Sequence, residues 1–162
     1  MKIQQYDRTT RLCRMGELDP RLQAALSTFS DLHLLGDLTA SSRISCETHS
    51  VPVPVSSRRR SFLRRSGKDA AATTSGVVVT DRLIIIGTVW DGSQPVCLGG
   101  KLADLAIQKP SQLYGSEAGV FIHTRWLGSS EASSYLLPLG SEPAANAFLG
   151  QFMKLVEESR QH

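Results

Sequence analysis

The chain is poor in cysteine and aromatics and has no long apolar run. Its three cysteines, Cys13, Cys46 and Cys97, are an odd number without the short spacing of a metal site. The simplest expectation is reduced thiols in a cytoplasm. No apolar stretch approaches the roughly 20 residues a membrane-spanning helix needs. The first residues, Met1 to Arg8, lack the apolar centre of a signal peptide, so no export is expected. No internal repeat is present.

Catalytic and cofactor patterns are missing as well. Gly99-Gly100-Lys101 lacks the upstream glycine and the following Ser or Thr of a phosphate-binding loop. Cys46 and His49 are three apart, which on a strand places thiol and imidazole on opposite faces. His123 has no second His or Cys at ligand spacing. The expectation is a non-enzyme with no metal and no cofactor.

What is present is an ordinary globular composition, 41% hydrophobic and 20% charged over 162 residues. That length supports one domain with a substantial core and some extra structure. The net charge of +3 is unevenly spread. Arg58, Arg59, Arg60, Arg64, Arg65 and Lys68 carry six positive charges in a segment without acids, so the remainder carries −3. Phe62 and Leu63 sit between the two basic groups like a small apolar anchor. Two readings of this cluster stay open: a solvated loop whose charge aids solubility, or an anion contact with membrane lipid. Non-specific nucleic-acid contact uses the same charges, but the acidic remainder and the absence of interleaved aromatics disfavour it.

Residues 1–16 read as a loosely held polar arm. Asp19-Pro20 is a helix start, and Leu22, Ala25, Leu26, Phe29 and His33 recur at helical spacing until Gly36. The spacing predicts a helix over 20–35, packed on the rest of the chain or on a second copy. Ile44, Cys46, Thr48 and Ser50 share one strand face, and Val51, Val53 and Val55 the other. This predicts a phase switch near Ser50, with Pro52 and Pro54 at an edge or bulge. Residues 56–75 read as a long mobile loop.

Gly76 to Val79 and Leu83 to Trp90 read as buried strands hinged at Thr80-Asp81-Arg82, where Asp81 and Arg82 cap backbone groups and pair locally. Val96 and Leu98 lie on a strand that Gly99-Gly100 interrupts, and Leu102, Leu105 and Ile107 resume the apolar pattern. Val120, Ile122, Thr124 and Trp126 alternate with Phe121, His123 and Arg125. A last strand covers 134–139. Pro143 opens a terminal helix that Ser141 can cap, with Phe148, Phe152, Leu155 and Val156 as its apolar stripe. Trp90 and Trp126 end strands, and as an exposed pair they would form a partner contact.

Val77-Val78-Val79-Thr80-Asp81-Arg82-Leu83-Ile84-Ile85 resembles the paired strands of bacterial pleckstrin-homology-like proteins and the related GRAM domains. The later Gly119-Val120-Phe121-Ile122, Leu137-Pro138-Leu139 and the helix with Ala147-Phe148 and Phe152 fit the same plan. The resemblance covers about residues 43–160. It implies a mainly β fold, a seven-stranded bent barrel closed by a C-terminal helix, here with an additional N-terminal helix. The division implied is 1–42 for the N-terminal arm and helix and 43–162 for the pleckstrin-homology-like domain. Members mostly bind lipids, peptides or other protein domains. In eukaryotic members the loop between the first two strands is commonly the basic lipid-phosphate site, and residues 56–75 would occupy that place. The expected function is a cytoplasmic adaptor for a protein partner. The alternative is peripheral binding to anionic lipid through the arginine-rich loop. Self-association through the N-terminal helix is a further expectation.

Overall fold

A computed structural model describes residues 5–53, 71–109 and 119–162. Within them, eight antiparallel strands form two sheets, and no closed barrel results. The larger sheet has the order β1 (Tyr6–Leu12), β2 (Ile44–Pro52), β3 (Thr73–Val79), β4 (Leu83–Trp90), β5 (Val96–Lys101). The smaller has β6 (Ala106–Gln108), β7 (Gly119–Arg125) and β8 (Ala132–Pro138). Three α-helices lie among the described residues: α1 (Pro20–Leu32), the single turn α2 (Leu38–Ser41) and α3 (Pro143–Arg160). A β-rich fold with a C-terminal helix is therefore present, and the expected seven-stranded barrel is replaced by two sheets of five and three strands.

The larger sheet is buried on both faces at its centre, which is why its sequence reads as continuous apolar runs. On the inner face the register aligns Cys46, Val77, Ile86 and Leu98 in one row. These rows meet Val120, Ile122 and Leu137 of the smaller sheet and Phe148, Phe152 and Val156 of α3 in the main core. On the outer face Val78, Ile85 and Val89 meet Leu18, Leu22 and Leu26 in a second core. The apolar stripe of α1 is thus buried against its own sheet, which removes the reason to expect self-association through it.

Three glycines let α1 approach. Gly76 and Gly87 face each other in register, and a Cβ added to either would meet Leu22 or Leu26 at 3.0 and 3.2 Å. At Gly99 an added Cβ would stand 2.8 Å from the Phe29 ring and 3.0 Å from Leu127. Gly99 and Gly100 were expected to break β5. The strand instead runs through them, with Phe29 and Leu127 over Gly99 and Thr124, Leu105 and Trp126 over Gly100.

Several local expectations change. Residues 6–12 are a strand paired along its length with β2, so the expected loose arm is built into the larger sheet. The helix expected over 20–35 ends at Leu32. No phase switch occurs at Ser50: the β1–β2 register is continuous to Pro52, with Ser50 buried and Val51 exposed. Pro52 lies beyond the last β2–β3 pair, Ser50 with Thr73, so its missing N–H costs no ladder bond there. Thr73 to Ser75, expected as loop, already belong to β3.

The turn between β3 and β4 is capped by Thr80 rather than by Asp81 and Arg82. Its hydroxyl accepts from the N–H groups of Arg82 and Leu83, at 3.2 and 3.0 Å. Asp81 pairs not within the turn but with the Arg43 guanidinium, at 3.5 Å. Ser141 does not cap α3. Glu142 is the N-cap residue, and its carboxylate accepts from the Thr10 N–H of β1 instead. The Thr10 hydroxyl in turn accepts from the Gly140 N–H at 2.8 Å and bonds the Thr48 hydroxyl at 2.8 Å. This cluster ties the first strand to the entrance of the last helix.

Candidate functional site

Arg58, Arg59, Arg60, Arg64, Arg65 and Lys68 lie outside the described residues. The strand ends next to that segment are described, and they are chemically distinctive. One step along from the apolar rows, the inner face carries Thr10, Thr48, Ser75 and Thr88 in register across four strands. The Ser75 and Thr88 hydroxyls are 3.2 Å apart, and Thr88 reaches the Tyr135 hydroxyl of the opposite sheet at 3.1 Å. The next row is Arg8, Ser50, Thr73 and Trp90. Arg8 Nε donates to Ser50 Oγ at 3.3 Å, and its guanidinium stands 5.4 Å from the centre of the Tyr6 ring. An apolar row, a hydroxyl row and a mixed row whose one cation is Arg8 therefore succeed one another toward one end of the sheet.

Trp90 belongs to this end and is half-buried. Trp126 does not. It is 4% exposed, donates from its indole N–H to the Ser133 carbonyl at 3.2 Å, and meets Tyr135 edge-on. A Cβ added to Gly100, near the other end of β5, would lie 3.5 Å from its ring. The two tryptophans thus form no exposed pair, and Trp126 is a core residue because its whole strand face points inward.

The titratable groups are dispersed. Cys46 is inside the core, where burial pushes its thiol pKa up. Burial raises Cys13 to about 11 despite the opposing Arg11 charge, and it raises Cys97 as well. Thiols held protonated are poor nucleophiles. His49 lies on the opposite face of β2 from Cys46, as its spacing predicts, and its Nδ1 is 3.0 Å from the Thr74 hydroxyl. His123 bonds the Ser134 hydroxyl at 2.9 Å on the outer side of β7. Among the described residues no group of three His, Cys, Asp or Glu could hold a metal ion. No helix among them is long and apolar enough to cross a membrane.

A surface feature escaped the sequence reading. After α1, Leu34 takes φ 55°, the one non-glycine residue with positive φ among those described. Its N–H donates to the Asp31 carbonyl at 3.3 Å, and the Leu35 N–H donates to Ser30 at 2.9 Å. This is the helix ending that normally takes glycine at the left-handed position. Leu34 is 91% exposed there and Leu32 is 76% exposed. Both fall off the buried stripe of Leu22 and Leu26, and that was the only signal available in the sequence.

Comparison with family models, curated proteins and solved structures finds no match to this chain.

Proposed function

We propose that this chain is a non-enzymatic, cytoplasmic binding module that docks a protein partner. The observation that carries this reading is the Leu32–Leu34 projection. Two large apolar side chains face solvent, Leu32 at the last position of α1 and Leu34 on a turn whose backbone favours glycine. A left-handed leucine costs about 1–2 kcal/mol, and this one recovers almost no burial inside its own chain. Strain kept together with exposed apolar surface is the combination found at contact sites. Asp31 and Asp37 flank the pair in sequence, so the partner surface should be an apolar depression with cationic groups at its rim.

The build supports a pleckstrin-homology-like reading. β2 to β5 form a four-stranded meander, β6 to β8 a three-stranded one, and α3 follows, while β1 and α1 are additions to that plan. The three unpaired cysteines support a reducing compartment.

The test places a photo-crosslinking residue at position 34 in the full chain and, as control, at exposed Glu131. A discrete adduct with a second protein from position 34 alone, lost on Leu32→Ser, is the expected result. Equal diffuse labelling from both positions would refute the docking role.

A second reading has its own observation. At the end of the larger sheet next to the arginine-rich segment, Val51 and Val53 are 43% and 38% exposed. Apolar side chains beside a basic segment suit the surface of an anionic bilayer. Sedimentation with phosphatidylserine vesicles tests it. Replacing Arg58, Arg59, Arg60, Arg64 and Arg65 by Ala should abolish pelleting, and unchanged pelleting would remove the lipid reading.

A further inference from the structure

The opposite end of the larger sheet holds a separate cleft. Its walls are the β3–β4 turn, the end of β5 and the last turn of α3, and its volume is about 720 Å³. Asp81, Arg82, Leu83, Lys101, Ser159 and His162 line it. Arg82 in the β3–β4 turn and Lys101 at the end of β5, opposite Leu83 in register, both line this space. Trp90 pairs with Thr73 at the other end of the same strands, so the length of the sheet lies between this cleft and the described strand ends that flank the arginine-rich segment in sequence.

Both bases stand on a fixed backbone. The Arg82 N–H donates to Thr80 Oγ1 at 3.2 Å, and its carbonyl accepts from the Leu102 N–H at 2.8 Å. The latter bond also holds the residue after Lys101. Arg160 anchors the end of α3 to the Leu105 carbonyl behind them. The lining carboxylate, Asp81, is offset by Arg43 at 3.5 Å. Among the described residues no carboxylate lies within ion-pair distance of Arg82 or Lys101. The cleft therefore has a net positive wall whose guanidinium and ammonium are available to an anion.

We propose that this cleft binds a phosphate-bearing small molecule. A planar fork of N–H donors beside a point-charge ammonium matches a phosphomonoester. A space of about 720 Å³ exceeds what inorganic phosphate fills and falls in the range of organic ligand pockets. The phosphate sits between Arg82 and Lys101, and the organic body extends along Leu83 toward Ser159.

The test titrates the full chain with phenyl phosphate and follows backbone amides by two-dimensional NMR. Saturable shifts centred on residues 82, 83, 101 and 103 are expected. Arg82→Gln and Lys101→Gln should each weaken binding about tenfold while leaving distant amides in place. Asp81→Asn, which leaves the Arg43 charge uncompensated beside the cleft, should tighten binding about threefold. A parallel arm uses phosphatidic acid vesicles. Perturbation of the same amides by vesicles assigns the phosphate to a lipid headgroup, and silence there assigns it to a soluble ligand. Shifts that fail to saturate, that ignore both glutamine variants, or that centre on Arg8 and Trp90 would overturn the proposal.

Discussion

Replacing Leu34 by glycine should stabilise the protein and weaken its partner contact at once. Leu34 occupies the left-handed position of the turn closing α1, with φ 55°. A Cβ in that region costs about 1–2 kcal/mol. Glycine removes this cost but adds about 0.5–1 kcal/mol of chain entropy to the unfolded state. The side chain is 91% exposed, so its removal sacrifices almost no burial. The net gain is about 0.5–1 kcal/mol, a rise in Tm of about 2 °C for a chain of this size. The two turn bonds, from Leu34 to Asp31 and from Leu35 to Ser30, involve only backbone and survive. Differential scanning calorimetry of the wild type and of Leu34→Gly and Leu34→Asn measures the effect. Crosslinking to the partner from a photo-reactive residue at position 32 should be weaker in both variants. A fall in Tm of 2 °C or more in both variants would show that Leu34 packs against something, and the argument from strain would fail. Higher Tm with unchanged crosslinking would leave the strain argument standing and remove Leu34 from the interface.

Gly99→Ala should destabilise by about 1–3 kcal/mol, because the new methyl would stand 2.8 Å from the Phe29 ring; denaturant melts measure it, and Phe29→Leu in the same chain should restore part of the loss. Thr10→Val leaves the Gly140 N–H and the Thr48 hydroxyl without their partner, for a loss of about 2–3 kcal/mol; hydrogen exchange should quicken first in β1. Cys13 has its pKa raised by burial from 9.0 to about 11, so the folded state holds the proton that the unfolded chain releases first. Its contribution to stability is complete below pH 9 and is lost as pH rises to about 11; Cys13→Ser should flatten that part of a thermal-stability profile. Asp19 caps α1 by accepting from the Arg21 N–H at 2.8 Å, and its pKa is lowered mainly by the hydrogen bond from the Arg21 side chain. Asp19→Ala should cost about 1 kcal/mol at neutral pH, and the difference from wild type should shrink as pH falls below 3.8, as chemical denaturation at each pH would show.

Much of the fold was legible because its causes are local. Alternation from Val120 to Trp126 marks β7, since each residue's face follows from its neighbour. Asp19-Pro20 marks the start of α1 through a cap and a pre-set φ. The apolar runs around Thr80 mark β3 and β4, because strands covered on both faces need apolar residues on both. The candidate sites were legible only in part. The arginine-rich segment shows in composition alone. The Arg82–Lys101 cleft does not, because the β3–β4 turn and the end of β5 come to one cleft only when β4 and β5 pair.

Sequence by itself determined that α1, α3 and most of β2 to β4, β7 and β8 exist, which stripe the two long helices bury, and where the charge is concentrated. Those properties depend on side chains a few positions apart. Only the tertiary structure decided that Tyr6–Leu12 joins the larger sheet, since a polar strand with one buried residue, Thr10, carries almost no periodic signal. It also decided that α1 lies over Gly76, Gly87 and Gly99 rather than against another molecule. Finally, it set Thr10, Thr48, Ser75 and Thr88 in one row. Each of these outcomes is fixed by strand pairing between distant parts of the chain, where one residue of slip would turn every side chain to the other face.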